Sequence, residues 1–224
     1  MVVEKAKQIR PLRRDYVRMS KIVDTEFGKV EYTDIGYGQP IVFLHGGHSN
    51  CNERLFHSGY DLSRFRLITP SRPGYGKTPL HNCETPERAG TLVLSFLNLL
   101  NIKRTVIVGI SAGAPTAIAL ANIMKSGADK LILISAVSKK WLAQNDMRLY
   151  LSKVLFHPTV EAMTWKLMRV GFQVMPQLFA KILFKQFSSK RDVEIDEDEQ
   201  HTIKRMVALQ RSGNGFLNDI GQDL

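Results

Sequence analysis

Thr105-Val-Ile-Val-Gly-Ile-Ser-Ala-Gly113 decides the fold. Thr105 to Ile110 is a β-branched run typical of a buried strand, and from Ser111 the composition turns alanine-rich as far as Met124, as in a buried helix. Gly109 and Gly113 flank Ser111 in a G-x-S-x-G pattern. A chain that turns sharply from strand to helix around one serine holds it in a strained conformation, lifts its Oγ above the sheet and needs small neighbours. The helix that starts there turns its positive end toward the same spot and favours an oxyanion. Ser111 is therefore the candidate nucleophile, and the amide of Ala112 is one candidate oxyanion donor. A bare G-x-S-x-G also arises by chance, and it is the strand-turn-helix setting that gives it weight. The window from Thr105 to Met124 is 20 residues without a charge, long enough to span a bilayer. Gly109, Ser111, Gly113 and Pro115 break it, so a buried strand and helix account for it better.

Similar strand patterns recur on both sides of this run. Ser20 to Glu26 and Lys29 to Asp34 are joined at Phe27-Gly28 as in an antiparallel hairpin. Pro40 to Leu44, Arg66 to Thr69 and Lys130 to Ser135 are short apolar strands of the kind covered on both faces. Thr85-Pro86-Glu87 opens a helix with a capping threonine and a proline at its first position. This alternation implies right-handed crossovers and an α/β fold, a mostly parallel sheet with helices on both faces. After Ser135 the alternation stops. Residues 139 to about 211 read as helices only, broken at His157-Pro158, Gly171 and Met175-Pro176, with Trp141, Tyr150, Phe156, Trp165, Phe172, Phe179, Phe184 and Phe187 along them. Such a segment is a lid over a site or a helical subdomain with its own core. The expected division is a basic arm at 1–19, a core at 20–138 and a helical cap at 139–224.

Two further glycine-rich turns each follow a strand. Leu44-His45-Gly46-Gly47-His48 lets a backbone amide approach a substrate oxygen, and Gly47 is the candidate first donor; alternatively His45-Gly46 merely turns the chain. Ser71-Arg72-Pro73-Gly74-Tyr75-Gly76 continues as Lys77-Thr78 and mimics the end of a phosphate-binding loop. Ser71 stands where that loop needs glycine, Pro73 removes an amide, and Pro79 breaks the helix that should follow. His45, His48, Cys51 and His57 are dense but lack the paired spacing of a zinc site, so neither metal nor cofactor is expected.

HGG, SRPGYG and GISAG in this order resemble the α/β-hydrolase fold family, the branch with a helical cap, by motif over residues 20–138 and by cap-like composition over 139–224. The resemblance implies that SRPGYG is a structural loop, and Arg72 receives no chemical role. It implies an esterase-like serine hydrolase acting on an ester, thioester or related acyl bond of a small apolar substrate. Serine rather than aspartate at the turn argues against the dehalogenase and epoxide-hydrolase branches. In the family an acid and then a histidine follow the serine, each after a later strand. Here only His157 and His201 follow Ser111, both in the helical segment, while Asp219 and Asp223 come late enough for the acid but after no apolar strand. The expectation is a truncated or degenerate member, with its C-terminal strands missing and little turnover as a 224-residue chain. The alternative is a non-catalytic binding protein that kept the pocket.

Composition sets the outer limits. With 44% hydrophobic and 23% charged residues the chain is neither disordered nor collagenous. Its +10 charge is uneven: residues 1–21 carry seven bases against two acids, and 139–191 carry ten against Asp146 and Glu161, before six carboxylates between Asp192 and Glu199. Bases placed off the core, without a stacking motif, argue against nucleic acid. Basic helices interleaved with aromatics allow contact with an anionic membrane surface, although such helices are more often solvated faces. Two cysteines and an N-terminus without an apolar segment suit a cytoplasmic protein. Oligomeric state is not legible.

Overall fold

The structure, a computed structural model, describes residues 20–139, 147–187 and 195–222. The basic arm at 1–19, Trp141, Asp192 and Asp223 lie outside them. Six strands form one sheet: β1 (Lys21–Thr25), β2 (Gly28–Gly36), β3 (Gln39–Leu44), β4 (Phe65–Pro70), β5 (Thr105–Ile110) and β6 (Ala128–Ile134), in the order β1-β2-β4-β3-β5-β6. The first two form the expected hairpin, and β2 is antiparallel to β4. From β4 through β3, β5 and β6 every pairing is parallel. The result is a mostly parallel sheet flanked by helices, as the alternation of strand and helix patterns requires.

Helices α1 (Pro86–Leu99) and α2 (Ala114–Met124) share one face of the sheet, where Leu92, Phe96, Ala117 and Leu120 pack on Val42, Leu44, Ile68 and Ile107. Thr85 caps α1 by accepting from the Arg88 amide, and Pro86 occupies its first turn. On the opposite face Ile41, Phe43, Leu67 and Val108 are covered by Phe56, Tyr60, Leu62 and Phe65, side chains of the connection into β4 and of its first residue. Part of this second layer is thus a folded loop. β6 is the outer strand among the described residues, and its Leu131, Ile132 and Leu133 are 39%, 41% and 43% exposed.

Beyond β6 the described elements are all helical: α3 (Met147–Leu155), α4 (Glu161–Val174), α5 (Pro176–Phe187), α6 (Glu197–Leu209) and α7 (Gly215–Gly221). The breaks at His157-Pro158 and Met175-Pro176 separate α3, α4 and α5. Gly171 does not break the chain, because it lies inside α4, where a β-carbon would run into the ring of Phe179 on α5. It is a helix-crossing glycine. Part of the acidic run has a local use: Asp196 and Glu199 form a reciprocal capping box at the start of α6.

Gly113 makes one of the tightest backbone contacts among the described residues, since a β-carbon there would collide with the Leu44 carbonyl and sit 2.6 Å from that of His45. Gly113→Ala should cost about 2 kcal/mol or more, because neither carbonyl can retreat without breaking β3. Gly221→Ala, where nothing lies within 4 Å, should stay within about 0.5 kcal/mol in the same urea titration.

Candidate active site

Strand register assembles the site. Leu44 on β3 pairs with Gly109 on β5, so the turns that follow these strands emerge side by side. Val42 pairs with Ile68, which brings the turn after β4 to the other flank of the β3 turn. Ser111 has φ +49°, the left-handed conformation a non-glycine residue rarely adopts, and it starts a 3-10 turn, Ser111–Gly113, that leads into α2. Gly109 admits α2 to the strand, since a β-carbon there would lie 2.6 Å from Ala117 Cβ. Gly46 packs against the serine itself, with its missing β-carbon 3.3 Å from Ser111 Cβ. Ser111 and Gly46 are therefore brought together, with Ala112 and Gly47 next to them along the chain. No imidazole or carboxylate among the described residues is hydrogen-bonded to Ser111 Oγ.

Arg72 sits under the β3 turn and organises it. Its Nε donates to the His45 carbonyl at 2.7 Å and Nη2 to the Gly46 carbonyl at 3.4 Å, while Nη1 and Nη2 grip the Asp219 carboxylate at 2.9 and 2.6 Å. Tyr75 donates its hydroxyl to the same carboxylate at 2.6 Å. The pair is buried, with side chains 3% and 8% exposed. Burial lowers the guanidinium pKa most, but the Asp219 charge, its hydrogen bonds and Tyr75 together outweigh it and raise it. Burial, helped by Asp219, pushes the Tyr75 phenol well up. The role assigned to SRPGYG as a structural loop fits, but Arg72 does more than reading the loop in isolation suggested. Its partner is 147 positions away, and no local pattern could have signalled it.

The other polar residues of these turns are fully engaged. His45 Nε2 accepts from the Arg72 amide at 2.9 Å, so its neutral ring donates from Nδ1 to the Gly46 carbonyl at 2.8 Å. Burial, then Arg72, lowers its pKa to about 3. His48, at φ +59°, lies 3.8 Å from the Phe216 ring and 4.4 Å from the Phe156 ring, between centroids. Burial takes it to about 3 as well. Ser212 Oγ accepts from Trp165 Nε1 at 2.9 Å and is hydrogen-bonded to His48 Nδ1 at 2.7 Å. Buried Glu161 receives the Arg211 guanidinium and the Ser212 amide, which ties the start of α4 to the chain entering α7. Phe216 covers Gly47, 3.3 Å from the position of its missing β-carbon.

His57 is buried elsewhere, with Nε2 3.2 Å from Thr69 Oγ1 and Nδ1 without a partner, and burial lowers its pKa to about 4. Cys51 is fully buried near Ser71, and its thiol is pushed up to about 11 by burial. Among the described residues no group of three or more such side chains converges as metal ligands. The Ser71 to Thr78 loop grips an internal carboxylate instead of a phosphate: Ser71 Oγ and the Lys77 amide donate to Glu31 Oε2, and the Glu31 amide donates to Thr78 Oγ1. His157 and His201 are exposed, on the α3–α4 connection and on α6.

Removing one partner of a buried ion pair leaves the other charge uncompensated. Arg72→Met should cost about 3–5 kcal/mol in urea unfolding, and adding Asp219→Leu should recover much of it. His45, His48 and His57 are depressed from 6.5 to about 3, 3 and 4, so the unfolded chain binds more protons below pH 6.5. Their stabilisation is complete above pH 6.5 and is lost as pH falls through that window. Each contributes a slope of up to about 1.4 kcal/mol per pH unit, and His57→Phe should make the decline shallower.

Residues 41–217 match the profile of the alpha/beta hydrolase family. The chain is 34% identical over 209 residues to the uncharacterized hydrolase YcgS of Bacillus subtilis (strain 168), covering 92% of this chain and 74% of that protein. Among solved structures it is similar to an alpha/beta hydrolase fold protein from Nakamurella multipartita, with TM-score 0.69 and 22% identity over 91% of this chain and 74% of the other. It is also similar to the esterase EaEST from Exiguobacterium antarcticum, with TM-score 0.58 and 21% identity over 92% of this chain and 75% of the other. With its sheet order and its turns in place, the chain belongs to the alpha/beta hydrolase family.

Proposed function

We propose that the protein is a serine hydrolase acting on an ester, thioester or related acyl bond of a small apolar substrate. The observation that carries this reading is the left-handed backbone of Ser111 at the strand-to-helix turn, with Gly46 packed against it. Ser111 attacks the acyl carbonyl, the amides of Gly47 and Ala112 hold the tetrahedral oxyanion, and water releases the acyl group. The helices after β6 act as a cap. Phe156, Trp165 and Phe216 gather around His48 beside the oxyanion loop and supply apolar surface for the acyl chain.

A serine needs a base to remove its proton, and that base needs an acid to orient it. His45 and His48 are engaged elsewhere and stay neutral, and Asp219 is committed to Arg72 and Tyr75. Positioning and oxyanion stabilisation alone leave about 10³–10⁴-fold over water in a serine hydrolase stripped of its triad. This 224-residue chain is accordingly expected to turn over slowly. Among the described residues no base meets Ser111 Oγ, and the commitment of His45, His48 and Asp219 to other partners favours a second reading, a binding protein that retains the pocket without chemistry.

A fluorophosphonate probe separates the two. Labelling of Ser111 that disappears in Ser111→Ala, with slow hydrolysis of a p-nitrophenyl ester, is the expected result. An unlabelled serine in a folded chain that still takes up an apolar fluorophore would sink the hydrolase reading.

A further inference from the structure

The face of the helical segment turned away from its own core is apolar and basic, and nothing in the proposed chemistry uses it. On α4, Met163, Leu167, Val170 and Val174 repeat at helical spacing and are 60%, 63%, 46% and 70% exposed. They lie opposite Trp165 and Phe172, the buried residues of the same helix. On α5, Leu178 and Ile182 are exposed opposite Ala180 and Leu183. Phe172, Ala180 and Leu183 form one small core with Val207 of α6, so both exposed stripes point away from α6 and its acidic first turn. On α3, Met147, Tyr150, Leu151 and Val154 are exposed opposite buried Leu149. Soluble monomers rarely leave so many large apolar side chains exposed along neighbouring helices such as α4 and α5 without an occupant.

Charge selects the occupant. Residues 147–187 contain six lysines and arginines and a single acid, Glu161, which is 2% exposed and paired with Arg211. Lys153, Lys166 and Lys181 are exposed beside the apolar side chains. A second copy of this chain would bring like charges together, and a neutral apolar partner would leave them unmatched. None of these helices is long and apolar enough to cross a bilayer. Apolar side chains that reach the acyl boundary while flanking lysine ammonium groups meet lipid phosphates are the pattern of a helix lying in the interface.

We infer that the exposed face of α4 and α5, extended by α3, docks the protein on an anionic membrane surface. This surface lies on the helical segment, on the side of α4 away from Trp165, and docking does not depend on Ser111 being reactive.

Vesicle flotation of the whole chain tests this. Binding to vesicles of phosphatidylglycerol and phosphatidylcholine, weakened by high salt and weak on phosphatidylcholine alone, is expected. Lys153→Gln and Lys166→Gln should each lower partitioning about fivefold. Leu167→Gln should weaken the binding that survives in salt, and because all three side chains are exposed, circular dichroism should show an unchanged fold. Unchanged binding in these variants would assign vesicle contact to the basic arm at 1–21 and overturn the inference. So would equal binding to neutral vesicles, no binding at all, or a dimer in vesicle-free solution that Leu167→Gln dissociates. Ser111→Ala should bind vesicles like the parent chain, which keeps the outcome separate from that of the fluorophosphonate experiment.

Discussion

The parallel register of β4, β3 and β5 is the constraint on which the rest of the molecule depends. Because Val42 sits beside Ile68 and Leu44 beside Gly109, the chain leaves all three strands at one edge of the sheet and close together. A slip of one residue would turn Leu44 and Ile107 out of the α1–α2 core, which makes the register costly to change. Gly113 locks it further, because the first turn into α2 rests on the carbonyls of Leu44 and His45 with no room for a methyl group. The turn after β3 and the candidate nucleophile are thus placed by the sheet, through backbone register and packing alone.

The buried pair of Arg72 and Asp219 extends this order into the helical segment. A guanidinium and a carboxylate taken out of water each lose several kcal/mol of solvation, and their attraction offsets this only when the remaining donors and acceptors are satisfied. Here they are, since Arg72 also serves two carbonyls and Asp219 also receives the Tyr75 hydroxyl. Such a pair adds little net stability compared with apolar packing, but it tolerates few alternative geometries. It therefore fixes where α7 lies over the β3 turn, and Phe216 comes to rest on Gly47. The network of Glu161, Arg211, Ser212, Trp165 and His48 does the same from α4.

What the sequence disclosed and what it hid divide along contact range. TVIVGISAG was legible because its signal is local: β-branched residues, then glycine, serine and alanine within one turn. Thr85-Pro86 was legible as a helix start for the same reason, and so was the hairpin at Phe27-Gly28. Gly171 misled because glycine breaks a helix on average, whereas its missing β-carbon is used here to let Phe179 of α5 approach α4. Arg72 was passed over because its carboxylate lies on an element far along the chain. The helical cover expected on both faces was read from alternation alone, which counts crossovers but cannot say that the connection into β4 would cover one face as a folded loop.

The strain at Ser111 bears most directly on what the site does. A non-glycine residue held in a rare backbone region costs about 1–3 kcal/mol and persists only where the surroundings impose it. A turn that served only to join β5 to α2 could relieve that strain with glycine, as Gly76 and Gly213 do at similar φ, although His48, Asn82, Asn101, Lys125 and Ser135 also keep side chains at positive φ. Serine is kept instead, with Gly46 packed against it, while Gly109 makes room for Ala117 and Gly113 for the Leu44 and His45 carbonyls. Stability does not reward this arrangement, and together with the packing of Gly46 it supports the role proposed for the Ser111 hydroxyl. A binding pocket would gain little from a strained serine, because an unstrained one could offer the same hydrogen bond. The backbone thus weighs toward the proposed role of Ser111 as a nucleophile over that of a ligand contact, and that role calls for a base at its hydroxyl.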